Sequence, residues 1–157
     1  MARFTQTAFS EFGDNYETNT WNLQGGTLDY NGTTAVQPTF NGDPLFTGDY
    51  LIIDSQICHF DIEVDFDNIT SFGTGQYYLT LPYSAKHDYA FGGGRLHDIS
   101  GGDFYTITGE VDTGSNIMKL FSVGSNGRGV VFDDKTPVTL AVEDNFHIAG
   151  TYQILSS

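Results

Sequence analysis

Residues 57–67 alternate between apolar and polar side chains without interruption. The apolar phase consists of Cys58, Phe60, Ile62, Val64 and Phe66, and the polar phase consists of His59, Asp61, Glu63, Asp65 and Asp67. A period of two places the apolar set on one face of a strand, whereas a helix would scatter the same set around its circumference. The segment therefore predicts a half-buried β-strand with an acidic outer face.

Eight further segments are rich in β-branched or aromatic residues and predict strands, at residues 18–23, 50–53, 76–83, 103–111, 116–123, 129–132, 138–143 and 146–155. Asn-Gly pairs and glycine clusters, including the run Gly92-Gly93-Gly94, predict the turns between them. About nine or ten short strands favour an all-β antiparallel sandwich of two sheets, with no helix longer than a turn or two. A chain of 157 residues is the length of one ordinary domain, which we expect over residues 17–157.

Residues 1–16 follow neither the period of a strand nor that of a helix, and they predict a separate N-terminal arm. The arm carries a cation and several aromatic residues, namely Arg3, Phe4, Phe9, Phe12 and Tyr16. Two interpretations stay open. The arm covers an edge of its own sheet, or it reaches onto a neighbouring subunit, because aromatic side chains in a terminal segment need a surface to cover. In the second interpretation these five residues are assembly contacts.

The charge is strongly acidic, with 20 Asp and Glu against 6 Lys and Arg and a formal net charge of −14. No cation occurs between Arg3 and Lys86. Such a surface repels phosphate groups and anionic lipids, so we expect neither nucleic-acid nor membrane binding. Solubility is the simplest explanation of the charge, and a specific cation-binding role is the alternative. The single cysteine, Cys58, excludes a disulfide within the chain.

The residue pattern predicts no catalytic residues, no metal ligands and no cofactor. The four histidines, His59, His87, His97 and His147, form no His-x-His pair or close His/Cys cluster of the kind that binds zinc. We expect His59 and His147 to face solvent on strands, and the pairs His87-Asp88 and His97-Asp98 to lie in loops. Calcium bound to the acidic row would need loops or a neighbouring subunit to complete its coordination, and this alternative stays open.

The stretch Glu63-Val64-Asp65-Phe66-Asp67 resembles the Glu-x-Asp-x-Glu strand of β-jelly-roll glucanases, whose outward carboxylates act as nucleophile and acid. This chain departs from that motif at Asp67, which has the shorter side chain. Along a strand, positions four apart are separated by about 13 Å, whereas retaining glycosidases need carboxyl groups about 5–5.5 Å apart. We therefore interpret the row as a solvated acidic face and expect no enzyme.

Three segments of the chain resemble phage head-decoration and tail-fibre jelly rolls. They are Leu79-Thr80-Leu81-Pro82-Tyr83, residues 117–127 with their closing glycine turn, and residues 146–155, which have a Phe-x-x-x-Gly-x-Tyr pattern. The last pattern is also similar to the terminal strand of tumour-necrosis-factor and complement-type globular heads. The resemblance covers about residues 40–155, and it implies a two-sheet jelly roll that assembles as a homotrimer.

The resemblance further implies a virion structural protein on the particle exterior, either a capsid decoration protein or the tip of a tail fibre. We expect decoration, because the chain starts at Met1 with only a short arm, whereas fibre tips end long fibrous chains. The implied partners are copies of the chain and other virion proteins, among them the major capsid protein. The alternative is a module that binds a receptor or a host surface glycan, with exposed aromatic residues such as Tyr77, Tyr78, Tyr83 and Tyr89 gathered at one loop end.

Overall fold

The computed structural model describes residues 15–18, 23–25, 36, 38–41, 45–124 and 126–155. These residues form β-strands joined by turns, and none of them lies in a helix. The strands are β1 (Asn15–Thr18), β2 (Leu23–Gly25), β3 (Thr39–Phe40), β4 (Leu45–Ile53), β5 (Ile57–Asp65), β6 (Ile69–Ser71), β7 (Tyr77–Thr80), β8 (Tyr89–Asp98), β9 (Asp103–Val111), β10 (Ile117–Val123), β11 (Gly129–Val131) and β12 (Asn145–Gln153). Their pairings are all antiparallel, which confirms the predicted all-β antiparallel class.

Ten of these strands belong to one sheet, in the order β1-β4-β5-β12-β8-β9-β10-β7-β2, with β11 also paired to β10. Strands β3 and β6 form a separate pair. The last strand of the chain, β12, lies in the middle of the large sheet between β5 and β8. It pairs with β5 from Asn145 to Gln153 but with β8 only from Asn145 to His147.

Strand β5 has the orientation that its sequence predicts. The five apolar side chains of residues 58–66 are fully buried, while Asp61, Glu63 and Asp67 are exposed and Asp65 is half-buried. Both neighbouring strands, β4 and β12, pair with β5 over its whole length. The alternation therefore fixes which face of this part of the sheet contributes to the core.

The core is rich in aromatic rings, which connect strands that are distant in the sheet order. The Phe146 ring on β12 contacts Phe66 (6.0 Å between ring centres) and Phe132 (5.4 Å), and Phe132 contacts Tyr77 on β7 (5.3 Å). Three strands separate β12 from β7 in the sheet. The rings of β12 and β7 therefore meet in one core, so the sheet is curved between these strands.

The turn predicted at Gly92-Gly93-Gly94 and the loop predicted at His97-Asp98 are both wrong, because all five residues belong to β8. The run of three glycines lies within the strand, where the pairing with β9 changes register between Phe91 and Gly94. Phe91 pairs with Gly109 and Gly94 with Ile107, so Gly92 and Gly93 together oppose one residue of β9. This is a β-bulge, and Gly93 has a φ of +94°, which glycine adopts without a steric penalty.

The predicted bounds of the other strands agree with the observed bounds to differing degrees. The prediction for residues 103–111 coincides with β9, and residues 146–155 overlap β12 closely. Residues 138–143 form no strand. Glu143 has a positive φ of 80°, and the Asp144 carboxylate accepts a hydrogen bond from the Ala141 N–H (2.7 Å), so the segment turns instead of extending. Most of the predicted strand 18–23 falls outside the described residues.

Candidate functional site

One outer face extends across β5, β12, β8 and β9, and strand register aligns its side chains in two rows. Glu63, His147, Arg95 and Thr106 form the first row through consecutive antiparallel partners. Asp65, Asn145, His97 and Phe104 form the second row in the same way. All eight side chains are exposed or half-buried, whereas the alternate residues Val64, Phe146 and Leu96 are fully buried. We call the part contributed by β8 and β9 the Arg95 face.

The bulge in β8 determines what the Arg95 face presents. Before the bulge, Phe91 points into the core. After it, Leu96 and Asp98 point inward, so the inward phase has moved by one residue. A continuous alternation from Phe91 would have turned Arg95 and His97 toward the core. The extra residue therefore keeps both polar side chains on the surface.

Arg95 and His97 both lie against the Phe104 ring. The Arg95 guanidinium carbon is 4.7 Å from the ring centre, and the His97 ring stacks on Phe104 at 4.3 Å with 22° between the planes. Phe104 nevertheless remains 56% exposed. Among the described residues, Arg95 forms no ion pair. The contacts thus orient the guanidinium without using its N–H donors.

The other half of the same face is acidic. His147 Nε2 lies 2.6 Å from Asp61 Oδ1, and both side chains are about half exposed. His59 Nδ1 lies 2.8 Å from Thr151 Oγ1. The two histidines that were predicted to be outward-facing thus face outward, and each has a polar partner. No described group of three or more His, Cys, Asp or Glu side chains is arranged to hold a metal ion.

Exposed large apolar side chains occur at both ends of the strands. At the end where β8 and β9 are joined, Ile99 (41%), Phe104 (56%) and Val142 (52%) are exposed. The Asp144 carboxylate holds their two loops together by accepting hydrogen bonds from the N–H groups of Ile99 (3.0 Å) and Ala141 (2.7 Å). We call this the hairpin end.

The opposite end of the strands also exposes apolar surface. Tyr83 (39%) and Leu155 (46%) are exposed there, and the Leu155 N–H donates to the Ser84 carbonyl at 2.8 Å, which holds the two segments side by side. We call this the Tyr83 end. Scattered apolar residues are normal on a protein surface, but groups of them at both ends indicate surfaces available for contact.

The predicted arm lies mostly outside the described residues. Arg3, Phe4, Phe9 and Phe12 belong to the part of the chain that is not described. Tyr16 lies in β1, where it is the register partner of Leu51 on β4. Strand β1 stands at the end of the sheet order, so the segment that follows residue 14 joins an edge of the large sheet.

Cys58 and Tyr77 are both fully buried, which bears on catalysis by the thiol and on sugar binding by the tyrosines. Burial raises the pKa of the Cys58 thiol to about 11, which keeps it protonated and unreactive at neutral pH. Of the four tyrosines considered as an exposed platform, Tyr77 is fully buried and donates its hydroxyl to the Phe72 carbonyl at 2.7 Å. It therefore cannot contribute to a surface cluster.

Sequence reasoning missed the Arg95 face because it placed His97-Asp98 in a loop and treated Gly92-Gly93-Gly94 as a turn. Leu96 and Asp98 form the inward phase of β8, and Asp98 is only 5% exposed. The sequence does contain a pattern for this strand. Residues 95–98 alternate between outward-facing and inward-facing positions, but this alternation is shifted by one residue relative to that of Tyr89 and Phe91. A single bulge between the two phases would have reconciled them.

No protein-family model, no curated protein and no solved structure matches this chain. None of the described residues belongs to a helix of the length and apolarity that crossing a bilayer requires. The functional interpretation therefore depends on the residues and their geometry.

Proposed function

We propose that this chain is a structural subunit of a phage particle, which folds as a two-sheet jelly roll and assembles as a homotrimer on the particle exterior as a capsid decoration protein. The observation that carries the proposal is the exposure of grouped apolar side chains at both the hairpin end and the Tyr83 end. A domain with contact surfaces at opposite ends of its strands can bind a particle at one end and a second partner at the other.

The sheet edges support assembly as well. In the described residues the sheet order ends at β1 and at β2, and each of these short strands has one paired neighbour. Unpaired strand edges attract other strands, and closed oligomers are a common way to cover them. A trimer would cover such edges while it leaves the acidic face in solvent.

The curvature of the sheet supports the jelly-roll fold. The contacts that link Phe146, Phe132 and Tyr77 bring β12 and β7 to opposite sides of one core although three strands separate them in the sheet. Two facing layers of antiparallel strands are the defining feature of a sandwich. The pairing between β12 and β8 ends at His147, and beyond this residue the two strands can belong to different layers.

A structural role also explains the acidic row without catalysis. Asp61 is engaged with His147, and the Asp65 carboxylate accepts a hydrogen bond from the Asp67 N–H at 2.9 Å. Burial raises the pKa of Asp65, and the charges of Asp67 and Glu63 act in the same direction. Asp61, Glu63 and Asp65 project from the same face of β5 and Asp67 follows in the turn, an arrangement that gives solubility and local order.

Light scattering of the purified full chain at micromolar concentration tests the assembly. We expect a mass three times that of the 17.2 kDa chain. A monomer that also fails to sediment with particles would contradict the proposal.

The arm is tested separately by deleting residues 2–12. If Arg3, Phe4, Phe9 and Phe12 contact another subunit, the deletion weakens the trimer or its attachment to the particle and leaves the melting temperature of the domain nearly unchanged. A melting temperature lowered by about ten degrees would instead mean that the arm is part of the domain's own sheet edge.

A further inference from the structure

We propose that the Arg95 face binds an acidic saccharide, with the carboxylate of a uronic-acid-type sugar on the Arg95 guanidinium and the sugar ring over β8 and β9. This site goes beyond assembly and shares Phe104 with the hairpin end. Its starting point is an arginine in a strongly acidic chain that has no ion-pair partner among the described residues.

The Arg95 guanidinium has a restricted orientation that suits the binding of a planar anion. Its contact with the Phe104 ring restricts the side chain, and the strand on which it stands is fixed on both sides by β12 and β9. A restricted guanidinium loses less conformational entropy when it forms a bidentate pair with a carboxylate. The bulge at Gly92 and Gly93 adds no side chain to this part of β8, and nothing lies within 4 Å of a Cβ added at either position.

The surroundings of Arg95 suit a sugar. Phe104 offers the part of its ring that Arg95 and His97 leave exposed, and Thr106 offers a hydroxyl as the register partner of Arg95. His97 offers ring nitrogens in a neighbouring position, whereas His147 Nε2 is already paired with Asp61. Sugars present apolar C–H groups and hydroxyls close together, so they are recognised by an aromatic side chain beside several hydrogen-bonding groups.

The distribution of charge favours a small ligand over a polyanion. Glu63 is in the same row as Arg95 but two strands away, at about 10 Å by the usual strand spacing. A nucleic acid or an extended acidic protein surface would cover this carboxylate and the Asp61 carboxylate together with Arg95, and repulsion would oppose it. A single acidic sugar fits over β8 and β9 without reaching β5.

The test is an NMR titration of the ¹⁵N-labelled full chain with methyl glucuronide, with methyl glucoside as the neutral match and acetate as the carboxylate alone. We expect saturable shifts of the Arg95 side-chain N–H and of the Phe104 and Thr106 amides with the glucuronide. The glucoside and acetate should each bind about tenfold more weakly or worse, because each lacks half of the contacts.

Three variants locate the binding. Arg95→Gln should weaken glucuronide binding about tenfold or more, since it removes the charge-assisted hydrogen bonds. Arg95→Lys keeps the charge but not the planar fork, and it should weaken binding by a smaller factor. Lys119→Gln is the matched control: it also removes one positive charge, but Lys119 already pairs with Asp112 at 2.7 Å, and binding should not change.

Several results would overturn the proposal. Equal shifts with glucuronide and glucoside would mean that the carboxylate is not recognised, and equal affinity for acetate would mean an adventitious ion only. Binding that survives Arg95→Gln would place the site elsewhere. If Arg95→Gln changes the oligomer mass and no sugar binds, Arg95 is a contact between copies of the chain.

Discussion

Strands β5 and β8 lie on either side of β12, and each has a buried face and a polar outer face. The residue patterns that produce these two faces differ between the strands. In β5 one uninterrupted alternation gives a fully buried inner face and an acidic outer face. In β8 two alternations of opposite phase are joined by the bulge at Gly92 and Gly93, and the outer face carries Arg95 and His97. The comparison teaches that regular alternation specifies packing, whereas the interruption in β8 is what places the positively charged group on the surface.

Shifting the phase of the second half of β8 should have the largest effect. One alanine inserted between Gly94 and Arg95 would move Arg95 and His97 to the inward phase and Leu96 to the outward phase, because Gly94 keeps its partner Ile107 on β9. A buried arginine without a partner costs about 5 kcal/mol or more, which approaches the whole stability of a domain. We expect loss of cooperative folding in thermal denaturation followed by circular dichroism.

The matched control for this insertion is Gly93→Ala. It keeps the number of residues but places a side chain at a φ of +94°, so it should fold with a loss of about 1–2 kcal/mol. An insertion variant as stable as the wild type would show that the number of residues between Phe91 and Arg95 does not determine the orientation of β8.

The inner face of β5 should give the next largest effect. Phe60 and Phe66 are fully buried, and truncation of either to Ala should lower the free energy of unfolding by about 3–5 kcal/mol, as measured by urea denaturation. Glu63→Gln, on the outer face of the same strand, should change it by less than about 0.5 kcal/mol. A strongly destabilised Glu63→Gln, or one that abolishes a measurable hydrolase activity, would contradict the interpretation of the acidic row as a solvated face.

Beyond His147, β12 does not pair with β8, and the packing of side chains between these two strands can be tested at Gly150. A Cβ added there would collide with the Phe91 ring and lie 2.8 Å from the Phe60 ring, so Gly150→Ala should cost about 1–3 kcal/mol by overpacking. Gly92→Ala is the control, because nothing lies within 4 Å of its added Cβ. Equal effects of the two substitutions would mean that the aromatic rings move aside freely.

The inward end of β8 should give a small, pH-dependent effect. Hydrogen bonds from the Gly101 N–H and the Ser100 hydroxyl lower the pKa of Asp98 below its ordinary value. A carboxyl whose pKa is lower in the folded state contributes stability above its unfolded pKa of about 3.9, and this contribution is lost as the pH falls through the folded value. Asp98→Asn should therefore flatten the acid side of a plot of melting temperature against pH. Asp54→Asn, at an exposed turn position, serves as the control, and an identical acid limb in both variants would contradict the role of Asp98.

The sequence predicted the parts of the fold in which one period extends over a whole strand. For residues 57–67 and 103–111 the alternation or the β-forming composition was sufficient, because neither segment contains an extra residue; the bulge opposite Thr108 lies on β8. It failed at β8, where glycines that usually mark turns form a bulge, and at residues 138–143, where β-forming valines lie in a turn held by the Asp144 carboxylate. Side-chain hydrogen bonds of this kind depend on residues that become neighbours only after folding.

The candidate sites were less predictable than the fold for the same reason. Arg95, His97 and Phe104 are brought together by cross-strand register and by one extra residue, and neither can be recognised from residue types alone. The apolar groups at the hairpin end and the Tyr83 end also combine residues that are far apart in the sequence. The acidic row, in contrast, lies within one strand and could be predicted from its spacing.

Electron cryo-microscopy of the particles that carry this protein tests the central claim most directly. The proposal predicts density for the curved β-fold on the particle exterior, in groups of three around threefold axes, with the hairpin end or the Tyr83 end against the underlying protein. Particles from which the chain is absent, or on which it is present as isolated monomers without contacts at either end, would contradict it.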